Sequence, residues 1–334
     1  MNRCLTFFVS LCAIISLCCQ CSRGDHHNQL KAWLQDNGKI KTLSTTCMVS
    51  DLVSKVGGEY VDNLCLIGPE LDPHSYQLVK GDDEKLSIAQ IIFFNGLGLE
   101  HGPSLQKYLA DSDKAVGLGD EIAKTNKDLI LTYDGQTDPH IWTDISLWMR
   151  ALPAIVQTLS DHDPTHAETF RANAEKLYKQ MEEAHADVKE ILATVPDKKR
   201  FLVTSHDAFN YFARAYLGTP QEIANNDWHK RFQAPEGLSP ESQLSSRHIQ
   251  EILEHLMKYR VHVIFPESNV SKDSIRKLVQ AGEEEGMHLI IADTPLYGDA
   301  MGPDGSDADT YIGMIKHNAR TMQTYLNNQP DQME

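Results

Sequence analysis

A long apolar repeat in the middle of the chain constrains the fold more than any other feature. Between Pro164 and Val195 apolar residues recur at alternating steps of four and three, and Pro196 ends the repeat. This spacing predicts one amphipathic helix, and roughly 30 residues at about 1.5 Å each would make it about 45 Å long. The apolar positions are Phe170, Ala174, Leu177, Met181, Ala184, Val188, Ile191 and Val195.

Such a helix can run along two lobes of its own chain as a stiff connector, or it can pair with a second copy in a coiled coil. The small residues Ala174 and Ala184 in a single isolated segment favour packing on the chain's own lobes. We therefore expect a rigid linking helix that limits hinge opening.

Short strand-like runs alternate with helical patterns on both sides of this helix. That alternation is typical of βαβ units and parallel sheets. We predict an α/β fold of two Rossmann-like lobes joined by the long helix, with the ligand site in the cleft between them. The predicted strands are 40–45, 63–67, 91–95, 200–204, 261–265 and 288–292, and the predicted helices are 49–56, 83–90, 143–159, 208–216, 240–258, 272–284 and 309–327.

The predicted elements divide the chain into consecutive segments. Residues 1–24 form an export leader, 25–38 a polar tether, 39–160 an N-terminal α/β lobe, 161–197 the linking helix and 198–330 a C-terminal α/β lobe. The roughly 310 residues that follow the leader suit two domains of ordinary size.

The first 24 residues have the pattern of a secretory leader. Arg3 precedes an apolar run over residues 5–15 that is too short to span a bilayer. Several cysteines follow, where a bacterial lipoprotein would be cut and acylated. We expect a periplasmic protein held to a membrane by a lipid on Cys18, Cys19 or Cys21, with a cleaved soluble periplasmic protein as the alternative.

Charge and cysteine content limit the partners and the chemistry. The net charge of −16 disfavours nucleic acid and anionic membrane surfaces as partners, and it favours cations. Because only two of the seven cysteines, Cys47 and Cys65, lie beyond the leader, a disulfide framework is excluded. A single disulfide and two small buried thiols are both compatible with the sequence.

Two matching tripeptides, Asp72-Pro73-His74 and Asp138-Pro139-His140, are the strongest chemical signal in the chain. Proline restricts its own φ and drives the preceding residue toward an extended conformation, so each imidazole follows a stiff turn. Either aspartate can accept a hydrogen bond behind the imidazole or cap the turn. Two histidines presented in the same way predict one shared metal ion.

Two further candidate ligands, His206 and Asp299, follow predicted strands of the C-terminal lobe. Ligands of open α/β sheets collect beyond the carboxyl ends of the strands, so we predict a site of His74, His140, His206 and Asp299. Three imidazoles and one carboxylate suit Zn, Mn or Fe better than Mg or Ca. Metal affinity should fall as the pH drops through about 6.5. The other histidines, His101 among them, are expected to lie on the surface or in packing contacts.

The motifs around these candidates follow one another along the chain: 72–76 (Asp-Pro-His-Ser-Tyr), 95–100 (Asn-Gly-Leu-Gly-Leu-Glu), 138–142 (Asp-Pro-His-Ile-Trp), 204–212 (Thr-Ser-His-Asp-Ala-Phe-Asn-Tyr-Phe), 236–241 (Glu-Gly-Leu-Ser-Pro-Glu) and 296–299 (Leu-Tyr-Gly-Asp). In this order they resemble the metal-specific substrate-binding proteins of ABC importers, called cluster A-I or the zinc/manganese/iron solute-binding family. Residues 72–82 and 95–101 are especially similar to its chlamydial-type members. The resemblance covers essentially the whole chain after the leader.

The resemblance implies a two-lobe binding protein with the same four ligands, which captures one divalent Mn, Fe or Zn ion and delivers it to an ABC permease in the inner membrane. We expect it to act as a monomer. Zinc-scavenging members commonly carry a histidine-rich acidic loop before the second ligand, whereas residues 119–138 contain no histidine. That departure favours manganese or iron without excluding zinc.

Two other functions fit parts of the pattern. An exported metallohydrolase would need a general base, for which Glu267 is the best candidate, and a supporting role behind a ligand or a salt bridge is the competing interpretation. A surface adhesin lipoprotein would bind a partner through an exposed face. No His-Glu-x-x-His motif, serine-nucleophile motif, repeat or large apolar patch supports either alternative. We therefore predict a binding protein and not an enzyme.

Overall fold

A computed structural model describes residues 30–329, except 134 and 241–245. The N-terminal lobe is built on four parallel strands in the order β2-β1-β3-β4. Strand β1 pairs with both β2 and β3. The chain connections that lead to these two neighbours therefore lie on opposite sides of β1, and a crevice opens between them at the carboxyl ends of the strands. The strands are β1 Ile40–Ser44, β2 Val61–Cys65, β3 Ile91–Phe94 and β4 Ala115–Gly117, followed by an antiparallel ribbon of β5 Thr132–Tyr133 and β6 Gln136–Thr137.

Helix α1 illustrates how the sequence produces the elements of this lobe. Its N-terminus is capped by Thr46, whose hydroxyl accepts a hydrogen bond from Val49 N at 3.4 Å. Its apolar residues repeat at helical spacing, and they form the buried face. The helices of the lobe are α1 Cys47–Gly57, α2 Asp82–Ile88, α3 Pro103–Asp111, α4 Leu118–Thr125, α5 Ile145–Trp148 and α6 Leu152–His162.

The single helix predicted over 143–159 is wrong, because the segment is broken into α5, a 3₁₀ turn at Met149–Ala151, and α6. Asp144 starts a new helix by accepting a hydrogen bond from Ser146 N at 2.9 Å. Pro153, which has no N–H to donate, lies in the first turn of α6. The apolar spacing continues across both interruptions, so periodicity alone does not reveal them.

The C-terminal lobe repeats the strand order of the first lobe with shorter strands. Strand β7 Leu202–Val203 pairs with β8 Phe232–Gln233, and β9 Val263–Ile264 pairs with β10 Ile290–Ile291, both in parallel. A hydrogen bond from Phe265 N to the Val203 carbonyl at 2.8 Å joins the two pairs. The resulting order, β8-β7-β9-β10, corresponds to β2-β1-β3-β4.

The helices of the C-terminal lobe differ from the prediction in two places, one of which is a short helix at Pro220–Ala224 that was not predicted. The helix predicted over 208–216 is α-helical only over Asn210–Phe212, and it continues as a π-helical turn over Ala213–Leu217. The first residues of the helix predicted over 240–258 lie partly outside the described residues. The helices are α8 Asn210–Phe212, α9 Pro220–Ala224, α10 Ser246–Tyr259, α11 Asp273–Glu284 and α12 Tyr311–Asn327.

The predicted long helix is confirmed as α7, Ala167–Ala193, with 27 residues and therefore a length of about 40 Å. It packs against α1 and α6 of the first lobe and against α12 of the second. One apolar cluster continues from Met48 on α1, through Leu177 on α7, to Met314 on α12. The apolar face is therefore buried within the chain, as a linking helix requires. At its end Leu192 is buried, whereas the predicted core residue Ile191 is only partly buried.

The predicted α/β class with parallel sheets and a long helix is thus confirmed. The polar tether predicted over 25–38 differs from the structure at its C-terminal end, because Trp33 is only 3% exposed and donates from Nε1 to the Asp62 carbonyl at 2.9 Å. The predicted leader, residues 1–24, lies outside the described residues. None of the helices in the described residues is both long and apolar enough to cross a membrane.

Candidate metal centre

The four predicted ligands come together in the cleft, and their ligating atoms all lie within 4.8 Å of one another. Nε2 of His74 lies 3.2 Å from Nε2 of His140 and 3.3 Å from Oδ2 of Asp299. Nε2 of His206 lies 3.0 Å from the same Asp299 oxygen. Nε2 of His140 faces the other oxygen, Oδ1, at 3.5 Å.

These spacings fit a single bound ion. Four donors about 2.1 Å from a zinc ion lie about 3.4 Å apart in a tetrahedron, and the four contacts given above run from 3.0 to 3.5 Å, with every pair of ligating atoms within 4.8 Å. Both Asp299 oxygens and Nε2 of His206 are buried without an aligned hydrogen-bond partner among the described residues. Unpartnered buried polar atoms are unfavourable, and one cation would satisfy all three.

The topology explains why these side chains meet. His74 follows β2, which neighbours β1, and His206 follows β7, the equivalent of β1 in the second sheet. Asp299 follows β10, and His140 follows the ribbon of β5 and β6. Each lobe therefore contributes two of the four groups.

Asp138 orients the ring of His140. Its Oδ1 lies 2.7 Å from Nδ1 of His140 and also accepts from the His140 backbone N at 2.9 Å. An ionised carboxylate only accepts, so the ring proton resides on Nδ1 and the lone pair of Nε2 points into the cleft. Asn210 supports the second oxygen of Asp138 at 3.0 Å, and Tyr211 donates to the Asp138 carbonyl at 2.9 Å.

Glu267 plays the corresponding part for His206. Its Oε2 lies 2.8 Å from Nδ1 of His206, on the side of the ring away from Asp299. Its Oε1 accepts hydrogen bonds from Ser205 N and His206 N at 3.0 and 2.9 Å. The carboxylate thus holds the backbone through hydrogen bonds and faces the ring at ion-pair distance without an aligned hydrogen bond, and this position favours the supporting role over that of a general base.

His74 is held differently from the other two histidines. Asp72 Oδ1 accepts from the His74 backbone N at 2.9 Å, and Oδ2 accepts from the Ser75 hydroxyl at 2.6 Å. Asp72 therefore caps the turn and does not back the imidazole. The ring of the partly buried His101 lies against that of His74, with centroids 5.4 Å apart, which is the packing role expected of His101.

The electrostatics of the site follow from its burial and its charges. Burial alone would raise the pKa of Asp299, but its electrostatic interaction with the imidazoles of His206 and His140, when these are protonated, holds it well below its usual range. Burial likewise opposes a charge on His206, yet Glu267 and Asp299 raise the pKa of its imidazole well above the ordinary value. A metal ion that binds here must displace that proton.

Contacts between the lobes lie directly beside the ligands. Trp142, two residues after His140, donates from Nε1 to the Gly298 carbonyl, next to Asp299, at 2.8 Å. A Cβ at position 298 would lie 2.3 Å from Oε2 of Glu267, so a larger residue than Gly298 would displace the carboxylate that faces His206. The four groups are thus fixed by contacts that join the two halves of the chain.

Glu100 is a supporting residue to which sequence analysis assigned no role. It is 4% exposed, and its Oε1 accepts from the Thr45 hydroxyl at 2.6 Å and from Asn95 N at 2.8 Å. Burial raises its pKa. Asn95 in turn donates to the Pro139 carbonyl at 3.0 Å, just before His140. The motif over 95–100 was the available signal, because its glycines mark a tight loop.

A cleft between two α/β lobes, a long connecting helix and four converging side chains of metal-binding type, supplied by both lobes, define a metal-binding substrate-binding protein of the ABC importer type. The sequence profile of one family, "Zinc-uptake complex component A periplasmic" (ZnuA), matches residues 43–325. The chain belongs to this family, and the resemblance predicted from its motifs is confirmed.

Similar proteins support the same assignment. The chain is 38% identical over 311 residues to the metal-binding protein YtgA of Chlamydia muridarum, covering 93% of this chain and 90% of that protein. It is 34% identical over 287 residues to the manganese-binding lipoprotein MntA of Bacillus subtilis, covering 85% and 89%. The crystal structure of Fe(III)-bound YtgA from Chlamydia trachomatis matches with a TM-score of 0.81 at 38% identity, covering 86% of this chain and 98% of that one. The names within this family thus refer to zinc, manganese and iron.

Proposed function

We propose that this protein captures one divalent Mn, Fe or Zn ion through His74, His140, His206 and Asp299, and delivers it to an ABC permease in the inner membrane. The observation that carries the proposal is the convergence of four buried donor groups, two from each lobe, within 4.8 Å. An ion bound there links the lobes, so the bound and free states can differ in the surface that a permease contacts.

The site favours capture over catalysis. A metallohydrolase leaves a coordination position open to water and substrate, and it places a general base beside that water. Here the most exposed of the four residues, Asp299, is 4% exposed. Glu267 lies on the far side of the His206 ring, as its 2.8 Å contact with Nδ1 requires. Glu267 is therefore not beside a water bound to the ion, and this position supports capture over catalysis.

Both oxygens of Asp299 face imidazoles, one at 3.0 Å and the other at 3.5 Å. The carboxylate can therefore coordinate through one oxygen or two, which raises the coordination number from four to five. Zinc in protein sites is mostly four-coordinate, whereas manganese and iron accept more ligands. Together with the absence of histidine from residues 119–138, this geometry favours manganese or iron as the cargo.

We place the protein in the periplasm as a monomer anchored through a lipid on Cys18, Cys19 or Cys21. The leader pattern and the similarity to a lipoprotein relative support this location. Mass spectrometry of the protein recovered from membranes would identify the acylated cysteine. Recovery of a water-soluble chain that has been cleaved but not acylated would contradict the anchored form and identify a free periplasmic protein.

Native mass spectrometry tests the capture of metal. The chain beginning at Asp25 is stripped of metal and offered limiting Mn, Fe and Zn together, beside the variants His140→Ala and His101→Ala. One ion per chain is expected for the parent and for His101→Ala, which removes an imidazole next to the site, and none for His140→Ala. Retention of the ion by His140→Ala would overturn the proposed ligand set.

Delivery requires its own test. Vesicles that contain the permease and its energising subunits are supplied with metal-loaded protein, and metal uptake is measured with and without ATP. Uptake that depends on ATP and on the loaded protein is expected. If the protein binds metal tightly but transfers none to the vesicles, its role is limited to metal binding and the proposed role in import is refuted.

A further inference from the structure

A second reactive pair of side chains lies at the start of the loop that carries His74. Sγ of Cys47, the first residue of α1, is 3.4 Å from Sγ of Cys65, the last residue of β2. Both side chains are partly buried. Both sulfurs also lie near the carbonyl oxygen of Ile67, at 3.8 Å from Cys47 and 3.2 Å from Cys65. Capture of metal by the four proposed ligands uses neither thiol.

The backbone around the pair is already fixed by the sheet. Strands β1 and β2 pair in parallel register up to Ser44 opposite Cys65. The ladder continues through hydrogen bonds from Leu66 N to the Ser44 carbonyl at 2.8 Å and from Ile67 N to the Thr45 carbonyl at 2.9 Å. A disulfide bond is about 2.05 Å long, so the sulfurs need to approach by little more than 1 Å. Side-chain rotation can supply most of that movement.

The two sulfurs are not chemically equivalent. The hydrogen bond from Cys65 lowers the pKa of Cys47, and the same hydrogen bond together with burial raises the pKa of Cys65 well above its ordinary value. Cys47 also lies at the N-terminus of α1, where the helix dipole favours a thiolate. Cys47 is therefore the better nucleophile, and Cys65 is placed to resolve a mixed disulfide on it.

We propose that Cys47 and Cys65 are joined by a disulfide in the exported protein, and that this bond clamps the base of the His74 loop to the N-terminus of α1. The compartment rests on the proposed periplasmic function, whereas formation of the bond does not depend on metal capture. The oxidant is a disulfide-bearing compound or a thiol-disulfide oxidoreductase of the same compartment.

The reaction proceeds by two exchanges. The Cys47 thiolate attacks one sulfur of the oxidant's disulfide, which forms a mixed disulfide and releases the oxidant's other sulfur as a thiolate. Cys65 then gives its proton to solvent, and its sulfur attacks the Cys47 sulfur and expels the second oxidant thiolate. The two protein thiols are oxidised to one disulfide, and the oxidant's disulfide is reduced to two thiols.

The position of the bond connects it to the metal site. The His74 loop leaves β2 directly after the Cys65 to Ile67 segment, and on the other side Thr45, two residues before Cys47, donates to the buried Glu100 at 2.6 Å. A disulfide at this point restricts two chain connections at once: the one that leads from β2 to His74 and the one that leads from β1 to α1. The loop should then open less often, because its anchor cannot separate from α1.

The test uses the chain beginning at Asp25, which retains no cysteine other than this pair. The reduced protein is exposed to oxidised glutathione, unfolded, and treated with a thiol-alkylating reagent before mass measurement. The expected product has lost two hydrogens and takes up no label. Two labelled thiols, or a glutathione adduct that persists on the parent chain, would overturn the proposed bond.

Two single variants test the order of attack. Cys65→Ser keeps the attacking thiol and removes the resolving one, so a stable glutathione adduct on Cys47 is expected. Cys47→Ser should form an adduct at least about tenfold more slowly, because a buried thiol of high pKa reacts poorly. Equal rates for the two variants would refute the assigned roles.

Hydrogen exchange tests the clamp. The amides of residues 68–74 should exchange several-fold more slowly in the oxidised protein than in the reduced one, while α11 in the other lobe should be unaffected. The double variant Cys47→Ser/Cys65→Ser should exchange at the rates of the reduced protein, and the oxidant should not change those rates. Identical exchange in both redox states would refute the clamp. Metal titration of the same samples reports separately on the proposed function, since a bond can form whether or not the metal binds.

Discussion

The two Asp-Pro-His turns have the same three residues, but the aspartate contacts a different part of the turn in each. In the turn of His140 the aspartate contacts the ring, with Asp138 Oδ1 2.7 Å from Nδ1. In the turn of His74 the aspartate contacts only the backbone N of His74 and the hydroxyl of Ser75. The first turn is buried against Asn210 and Tyr211, whereas His74 neighbours the partly buried His101.

This difference assigns different tasks to the two proposed ligands. A ring held by a buried carboxylate is fixed in one tautomer before metal arrives. The His74 ring contacts His140 and Asp299 through Nε2 but has no aspartate of its own turn behind it, so it retains more freedom to turn. We therefore expect His140 to form the permanent part of the site and His74 to move when the ion enters or leaves.

The largest effects should come from removal of the rings themselves. Both His140→Ala and His74→Ala should lower the metal affinity by more than about 100-fold, beyond the range seen for supporting residues. Only His140→Ala should also lower the free energy of unfolding of the metal-free protein, by about 1–3 kcal/mol, because it leaves buried Asp138 without the ring. Metal competition titrations and denaturant unfolding measure the two quantities. Equal stability of the two variants would contradict the proposed asymmetry.

Exchange of each aspartate for its amide tests the comparison more directly. Asp138→Asn should weaken metal binding by about 10–100-fold, since a neutral amide is a weaker acceptor for Nδ1–H of His140 and can turn its NH2 group toward the ring, which favours the other tautomer. Asp72→Asn is the matched control and should change the affinity by less than about threefold, because an amide oxygen can still cap the turn. Similar losses in a metal competition titration would show that the two turns are supported alike.

Acidification should weaken metal binding in a way that depends on His206, which belongs to neither Asp-Pro-His turn. The metal affinity should fall about tenfold for each unit of pH below about 6.5 for each imidazole that must lose its proton. Because Glu267 and Asp299 raise the pKa of His206, the proton competes with metal to a higher pH than at an isolated imidazole. Glu267→Gln should therefore move the onset of the loss to lower pH. Titrations between about pH 5 and 8 measure this, and an unmoved onset would contradict the coupling.

The smallest effects should come from the tyrosines that hold the two turns from behind. Tyr211 donates to the Asp138 carbonyl at 2.9 Å, and Tyr76, two residues after His74, donates to Asp82 at 2.7 Å. Each Tyr→Phe variant should lose about 1 kcal/mol of stability. Only Tyr211→Phe should speed the release of metal, measured by stopped-flow chelation. Faster release in Tyr76→Phe alone would reverse the assignment of the fixed and mobile turns.

Local chemistry explains what could be predicted. The apolar spacing of α7, the proline-restricted turns and the strand-like runs are all properties of neighbouring residues, and they appear in the structure at or near the predicted positions. The errors in the predicted elements also arise from reliance on local patterns. The segment over 143–159 keeps its apolar spacing through a cap and a proline, and the strands of the second lobe are shorter than their β-branched runs suggest.

The sequence by itself determined the α/β class, the linking helix and the four side chains proposed to bind metal, because each has a short-range signature. Only the tertiary structure decided which carboxylate stands behind which imidazole. Glu267 reaches His206 across 61 positions of the chain, and Asp72 and Asp138 differ although their tripeptides are the same. The proximity of Cys47 and Cys65 likewise depends on the pairing of β1 with β2. Contacts between distant residues arise from packing of whole elements, which no local pattern encodes.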